Sequence, residues 1–216
     1  EKEGHGKIEG VVLDLRNNPG GLLNQAVKIA DRFISSGLIV SIKGRDDGDN
    51  IVFRAKKSKT IVEYPLVVLA NAGSASASEI VAGAIQDHHR GVIMGSPTFG
   101  KGSVQTIIPL SDGSGLRLTT ALYYTPSGRS IQAEGIKPDI EIDPLALLSR
   151  SKEKKIKKIP FIKEKDLKHH LEGVNNGKST ASQAAGKAGA AKKVDPLVER
   201  AIEILKGAKI LGKELK

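Results

Sequence analysis

Ser76 and Lys101 are the two residues whose surroundings could support covalent chemistry. Ser76 lies in Asn71-Ala72-Gly73-Ser74-Ala75-Ser76-Ala77-Ser78-Glu79-Ile80, between an apolar run over 65–70 and a helix-forming stretch that begins at about Ile80. A serine on a strand-to-helix turn is held at the positive end of a helix dipole, beside amides that have no partner within the helix. That suits a nucleophile whose product is an oxyanion. A second reading competes: Ser76 and Glu79 have the spacing of a capping box, in which the hydroxyl only satisfies the first helical turn.

Lys101 is flanked by Gly100 and Gly102 and preceded by Phe99. Two glycines permit a tight backbone that aims the side chain inward, and a desolvated lysine gives up its proton more readily and can act as a general base. Ser-Lys pairs are an alternative to Ser-His-Asp. Gln105, four residues on, is placed to orient the amine. The ordinary alternative for Gly-Lys-Gly is a surface turn. Gly95-Ser96-Pro97-Thr98-Phe99-Gly100-Lys101 also imitates a phosphate-binding loop, but its next residue is Gly102 instead of Ser or Thr. A β-branched run ending in Pro109 follows where that loop requires a helix. Ser149-Arg150-Ser151-Lys152 has Ser-x-x-Lys spacing without glycines or an oxyanion-hole candidate. His88 and His89 close the helix that Ser76 opens, about 18 Å away, and the same length keeps Asp87 from Ser76. His5, His169 and His170 lie in segments with no core signature. No cluster has metal-ligand spacing, so neither a metal nor another cofactor is expected.

Strands are expected over 8–15, 38–42, 51–55, 65–70, 91–95, 104–110 and 116–124, with helices from Leu22 to near Gly37 and from the Ser76 turn to about Gln86. The first strand ends in Arg16-Asn17-Asn18-Pro19-Gly20-Gly21, a turn that lets another backbone approach closely. Strand-helix alternation followed by a hairpin at 111–115 predicts an α/β fold with an antiparallel portion. The domain reading is a core over 1–144, a basic and helical extension over 145–171, a flexible linker over 172–193 and a C-terminal helix over 194–216. Asp195 is expected to cap that helix, with Pro196 in its first turn. Its apolar face must dock on the core or on another subunit.

The 216 residues can bury one substantial core, and no apolar run is long enough to cross a bilayer. The net charge of +10 invites a nucleic-acid reading, but the lysines crowd after Arg150 and aromatics are only 3%. A solvated basic face, weakly attracted to acidic surfaces, is expected instead. There is no cysteine, which excludes disulfides, thiol nucleophiles and thiolate metal sites. The opening Glu1-Lys2-Glu3-Gly4-His5-Gly6 reads as mid-stream, so a fragment of a longer protein is expected.

Taken together, Leu13-Asp14-Leu15-Arg16-Asn17-Asn18-Pro19-Gly20-Gly21, the Gly73–Ile80 motif and Thr98-Phe99-Gly100-Lys101-Gly102-Ser103-Val104-Gln105 resemble the carboxyl-terminal processing peptidases, or tail-specific proteases. The resemblance covers about 8–142 and extends weakly to the terminal helix. It implies a Clp protease/crotonase-like core and a serine endopeptidase without cofactor, acting on polypeptides with exposed C-terminal tails. It puts the nucleophile at Ser76, the base at Lys101 (101 − 76 = 25 positions on) and the orienting residue at Gln105. The oxyanion hole would combine the Ala77 amide with Gly21, Gly20 being the alternative. It also implies an extracytoplasmic setting in a bacterium, with homo-oligomers through the C-terminal helix and peripheral membrane association as further expectations. Members of the family carry a PDZ domain before the Asp-Leu-Arg-Asn motif, and nothing in this sequence corresponds to it. The rival expectation is a non-catalytic peptide-binding or scaffold relative.

Overall fold

The computed structural model describes residues 8–45, 50–56, 64–142, 163–167 and 195–214. The eight strands are β1 (Val11–Asp14), β2 (Leu38–Gly44), β3 (Ile51–Arg54), β4 (Leu66–Ala70), β5 (Val92–Gly95), β6 (Ser103–Pro109), β7 (Gly115–Tyr124) and β8 (Ile140–Glu141). The helices are α1 (Leu23–Ala30), α2 (Ala77–Asp87) and α3 (Pro196–Glu214). One sheet is parallel, in the order β1-β4-β5-β8, and the other is antiparallel, in the order β3-β2-β7-β6.

β4 shows why the layers form. All five of its residues are buried, as expected of a continuous apolar run in a parallel sheet. Alternation divides them between two faces. Leu66, Val68 and Ala70 join the large core with Ile80, Ala84 and Ile85 of α2 and Ile39, Val40 and Tyr123 of the antiparallel sheet. Val67 and Leu69 face the other way and pack with Met94, Leu197 and Ala201. Helix α2 is therefore enclosed between the two sheets, and every residue from Ala77 to Ile85 is buried. Helix α3 covers the opposite face of the parallel sheet. Asp195 caps it, its Oδ1 accepting from the Leu197 amide at 2.9 Å.

Three sequence expectations need adjusting. α1 ends at Ala30, not near Gly37, because the Arg32 and Phe33 amides shift to the carbonyls three residues back, of Ile29 and Ala30, and 31–33 form a turn whose Asp31 Oδ1 accepts the Lys56 amide just beyond β3. β8 has no counterpart among the expected strands; two residues are too few to carry a periodic signal. It is held by the Asp139 side chain, which accepts the Ile93 amide at 2.8 Å. The apolar face of the terminal helix, expected to dock on the core or on another subunit, packs within this chain through Leu197 and Ala201 on the parallel sheet. Most of the basic extension and the whole expected linker lie outside the described residues.

The two sides of α3 should respond differently to truncation. Leu197→Ala, at a buried position, should cost about 2–3 kcal/mol of stability. Ile210→Ala, at a position 61% exposed, should change it by less than about 0.5 kcal/mol. Urea unfolding of both variants measures this.

Candidate active site

Two turns at the C-terminal ends of β1 and β4 are tied together. Asn71 Oδ1 accepts the Asn17 amide at 2.9 Å and the Gly73 amide at 3.0 Å, while its Nδ2 donates to Asn17 Oδ1 at 3.0 Å. The Asn18 carbonyl accepts the Ala75 amide and the Ser78 hydroxyl, both at 3.0 Å. Ser74 Oγ donates to the Leu15 carbonyl at 2.8 Å and accepts the Asn71 amide at 3.0 Å. Of the three serines in the motif, Ser74 and Ser78 thus spend their hydroxyl protons on backbone carbonyls of the neighbouring turn.

Ser76 differs in its backbone. It has φ 54° and ψ −113°, a left-handed conformation costing a non-glycine residue about 1–3 kcal/mol. Its amide is held by the Glu79 carboxylate at 2.7 Å and its side chain faces the Glu79 amide in return, so both halves of the expected capping box are present.

The same carboxylate reaches much further than a cap requires. Glu79 Oε2 also accepts the Lys101 amide at 2.9 Å, and Oε1 accepts the Gly100 amide at 2.7 Å and the Thr98 hydroxyl at 2.6 Å. The Thr98 oxygen already accepts the Ile136 amide at 2.7 Å, so its proton is free for Glu79. Glu79 is fully buried. Burial pushes its carboxyl above the ordinary value, while Thr98 and the amides of Gly100, Ser76 and Lys101 pull it down. Burial prevails and leaves the carboxyl raised, but three of the four partners are amides that can only donate, which suits an ionised carboxylate. Because Ser76 and Lys101 share one oxygen, their amides lie no further apart than the sum of those two hydrogen bonds.

The lysine turn is gripped on both sides. The Gly102 amide donates to the buried Gln132 Oε1 at 3.0 Å, Tyr123 N donates to the Gly102 carbonyl at 2.7 Å and Ala133 N donates to the Gly100 carbonyl at 2.8 Å. A Cβ on Gly102 would lie 2.4 Å from Gln132 N, so only glycine allows this approach. β6 follows directly as a strand, which rules out the helix that a phosphate-binding loop needs. Gln105 lies exposed on β6 beside a register irregularity between Val104 and Gln105. Among the described residues no hydrogen bond joins it to Lys101.

The glycine turn meets the serine turn edge on. Gly20 has φ 97°, and a Cβ there would fall 2.6 Å from the Ala75 carbonyl oxygen and 2.8 Å from the Ala77 amide nitrogen. Its own amide donates to Asn18 Oδ1 at 2.9 Å. A Cβ on Gly21 would meet nothing within 4 Å. Arg16, which opens the turn, forks onto Asp14 through Nε at 2.9 Å and Nη2 at 2.6 Å.

The other candidates are engaged elsewhere. His88 Nε2 contacts the Leu38 carbonyl at 2.6 Å. Asp87 binds the Ser127 amide at 2.8 Å and pairs with Arg129. Ser149, Lys152, His5, His169 and His170 lie outside the described residues. Among the described residues no group of three or more His, Asp or Glu could hold a metal.

A model of peptidase family S41 matches residues 2–142. The chain belongs to peptidase family S41. It is 61% identical over 137 residues to a carboxy-terminal-processing protease of Bartonella bacilliformis, an alignment covering 63% of this chain and 32% of that relative. It is 45% identical over 140 residues to a chloroplastic C-terminal processing peptidase of Tetradesmus obliquus, covering 65% and 30%. Among solved structures it resembles a photosystem II D1 C-terminal processing protease, with a TM-score of 0.60 at 45% identity, covering 65% of this chain and 36% of that one. The chain spans about a third of the length of these relatives. The α/β core is the Clp-like fold of this family.

Sequence reasoning missed the wider role of Glu79, and it missed Gln132. The spacing from Ser76 marked Glu79 as a cap, but nothing local pointed to partners 19 to 22 residues away. Glu79→Gln exchanges one acceptor oxygen for an amino group facing a donor. It should cost at least ~2 kcal/mol in urea unfolding.

Acid should weaken the flanking ion pairs. Hydrogen bonds from Arg16 hold the Asp14 carboxyl below its ordinary value. For Asp87, burial pushes upward but is outweighed by hydrogen bonds from Thr125, Ser127 and Arg129, leaving it low as well. A depressed folded value contributes stability that is present above the unfolded value, near about pH 4, and is lost as the pH falls through the folded one. Unfolding free energy should therefore drop below about pH 4, and part of that drop should vanish in Asp87→Asn.

Proposed function

We propose that the chain is the catalytic core of a serine endopeptidase using a Ser-Lys dyad on protein substrates near their C-termini. The observation that carries the reading is the shared oxygen of Glu79, which brings the turns bearing Ser76 and Lys101 together. Neutral Lys101 takes the Ser76 proton, Ser76 attacks the peptide carbonyl, and backbone amides hold the oxyanion. Lys101 then protonates the leaving amine, and water releases the acyl group. The strained Ser76 backbone is compatible with a nucleophile on a sharp strand-to-helix turn.

Ala77 and Gly21 are assigned to the oxyanion hole. The Gly20 amide is committed to Asn18, which favours Gly21 as the second donor. Each donor should contribute ~3 kcal/mol to the transition state. Gln105 is assigned an orienting role that forms in the substrate complex, where catalytic hydrogen bonds tighten.

The same reading includes substrates captured by exposed C-terminal tails. It also includes quality control or maturation of extracytoplasmic proteins in a bacterial periplasm or cell envelope, with peripheral membrane association. Any homo-oligomer through α3 would have to use its outer side, where Ile202, Ile210 and Leu211 are exposed, because Leu197 and Ala201 are occupied by the sheet.

Peptide cleavage by the natural chain should disappear in Ser76→Ala and Lys101→Ala while both variants keep the native circular dichroism. Cleavage by Ser76→Ala equal to the natural chain would sink the assignment. Gly20→Ala should lower turnover at least ~100-fold, as loss of an oxyanion donor does, since its Cβ would crowd the Ala77 amide.

A further inference from the structure

The family match ends at residue 142, yet residues beyond it touch both turns of the site. The Glu164 amide donates to the carbonyl of Phe99, two residues before Lys101, at 3.1 Å. Asp195 reaches the other turn. Its Oδ2 pairs with Arg16 Nη1 at 2.8 Å, while its Oδ1 caps α3. Arg16 is thereby held between two carboxylates on different elements, Asp14 at the end of β1 and Asp195 at the start of α3. Its own amide donates to Asp14 Oδ1 at 3.0 Å, which fixes the backbone as well as the guanidinium.

We propose that Asp195 is a positioning residue: through Arg16 it fixes the turn that presents Gly20 and Gly21 to Ser76 and Ala77. The inference rests on the Ser-Lys reading above. The route is short. Arg16 leads straight into Asn17, whose φ of 57° is non-glycine and left-handed, and on to Asn18, whose carbonyl grips Ala75 and Ser78. A turn in so restrained a conformation needs its first residue anchored. Arg16 is suited to this because its planar fork can serve Asp14 with one edge and Asp195 with another nitrogen, which a lysine cannot do. The two oxygens of Asp195 have separate partners, so the cap and the brace can be separated by substitution. The change Asp195→Asn would keep an oxygen for the Leu197 amide, since asparagine is as good a cap as aspartate, but would offer the guanidinium no charge.

The test uses the full chain, a fluorophosphonate probe and a thermal melt. Asp195→Asn should slow acylation of Ser76 about tenfold, less than the 10²–10³ lost with a whole oxyanion donor. Its melting temperature should stay within about 2 °C of the natural chain. Asp195→Ala should slow acylation equally but melt lower, having lost the cap. Arg16→Lys should reproduce the loss, and Asp195→Asn should add nothing to it, as expected of two residues acting through one contact. Amide hydrogen exchange over 15–23 should be faster in Asp195→Asn than in the natural chain. Acylation by Asp195→Asn within twofold of the natural rate, multiplying losses in the double variant, or unchanged exchange over 15–23 would each overturn the proposal. Labelling of the natural chain no greater than that of Ser76→Ala would overturn the Ser-Lys reading instead, and exchange would still decide the role of Asp195.

Discussion

One buried carboxylate accepts hydrogen bonds from both halves of the candidate site. Glu79 receives the amides of Ser76, Gly100 and Lys101 and the hydroxyl of Thr98. An anion removed from water is costly unless donors replace its hydration. Here four do, and three of them are backbone groups that cannot turn away without unfolding the turn that bears them. The electrostatic requirement of one side chain therefore fixes the relative position of two segments more than twenty residues apart.

The layers of the fold make that burial possible. β4 contributes apolar side chains to both of its faces, so α2 can be enclosed on one side while α3 covers the other. Enclosure of α2 takes Glu79 out of solvent, although the residue belongs to the first helical turn, where carboxylates are usually exposed. Parallel pairing of β1, β4 and β5 gathers the glycine turn, the serine turn and the segment leading to Lys101 at the C-terminal ends of the strands. This is where open α/β sheets place their ligands. Asn18, Asn71 and Ser74 then lock the first two turns together, Glu79 joins the third to them, and Gln132 holds that third turn from its other side.

Much of this was legible in the sequence. The strands other than β8 and the two helices of the core follow from periodicity, and the motif residues alone point to the family. Asp195 and Pro196 announced the start of α3. What could not be read was the set of long-range partners. Glu79 looked like a local cap because its nearest partner is Ser76, and Gln132 sits in a stretch of turns with no periodic signal. The Asp195–Arg16 pair joins residues far apart along the chain. The contact of Asp31 with the Lys56 amide, just after the early end of α1, likewise joins residues that only the folded chain brings together. Gln105 matches the family motif by position, yet it lies exposed without a bond to Lys101. Its orienting role belongs to the proposed substrate complex and not to the geometry seen here.

The central claim is that Ser76 is reactive because the Gly-Lys-Gly turn is delivered to it. Mass-spectrometric mapping of the fluorophosphonate adduct on the natural chain and on Lys101→Ala tests this most directly. A single adduct on the peptide containing Ser76, absent when Lys101 is replaced, is the predicted result. An adduct on a different serine, or undiminished modification of Ser76 without the lysine, would contradict the account.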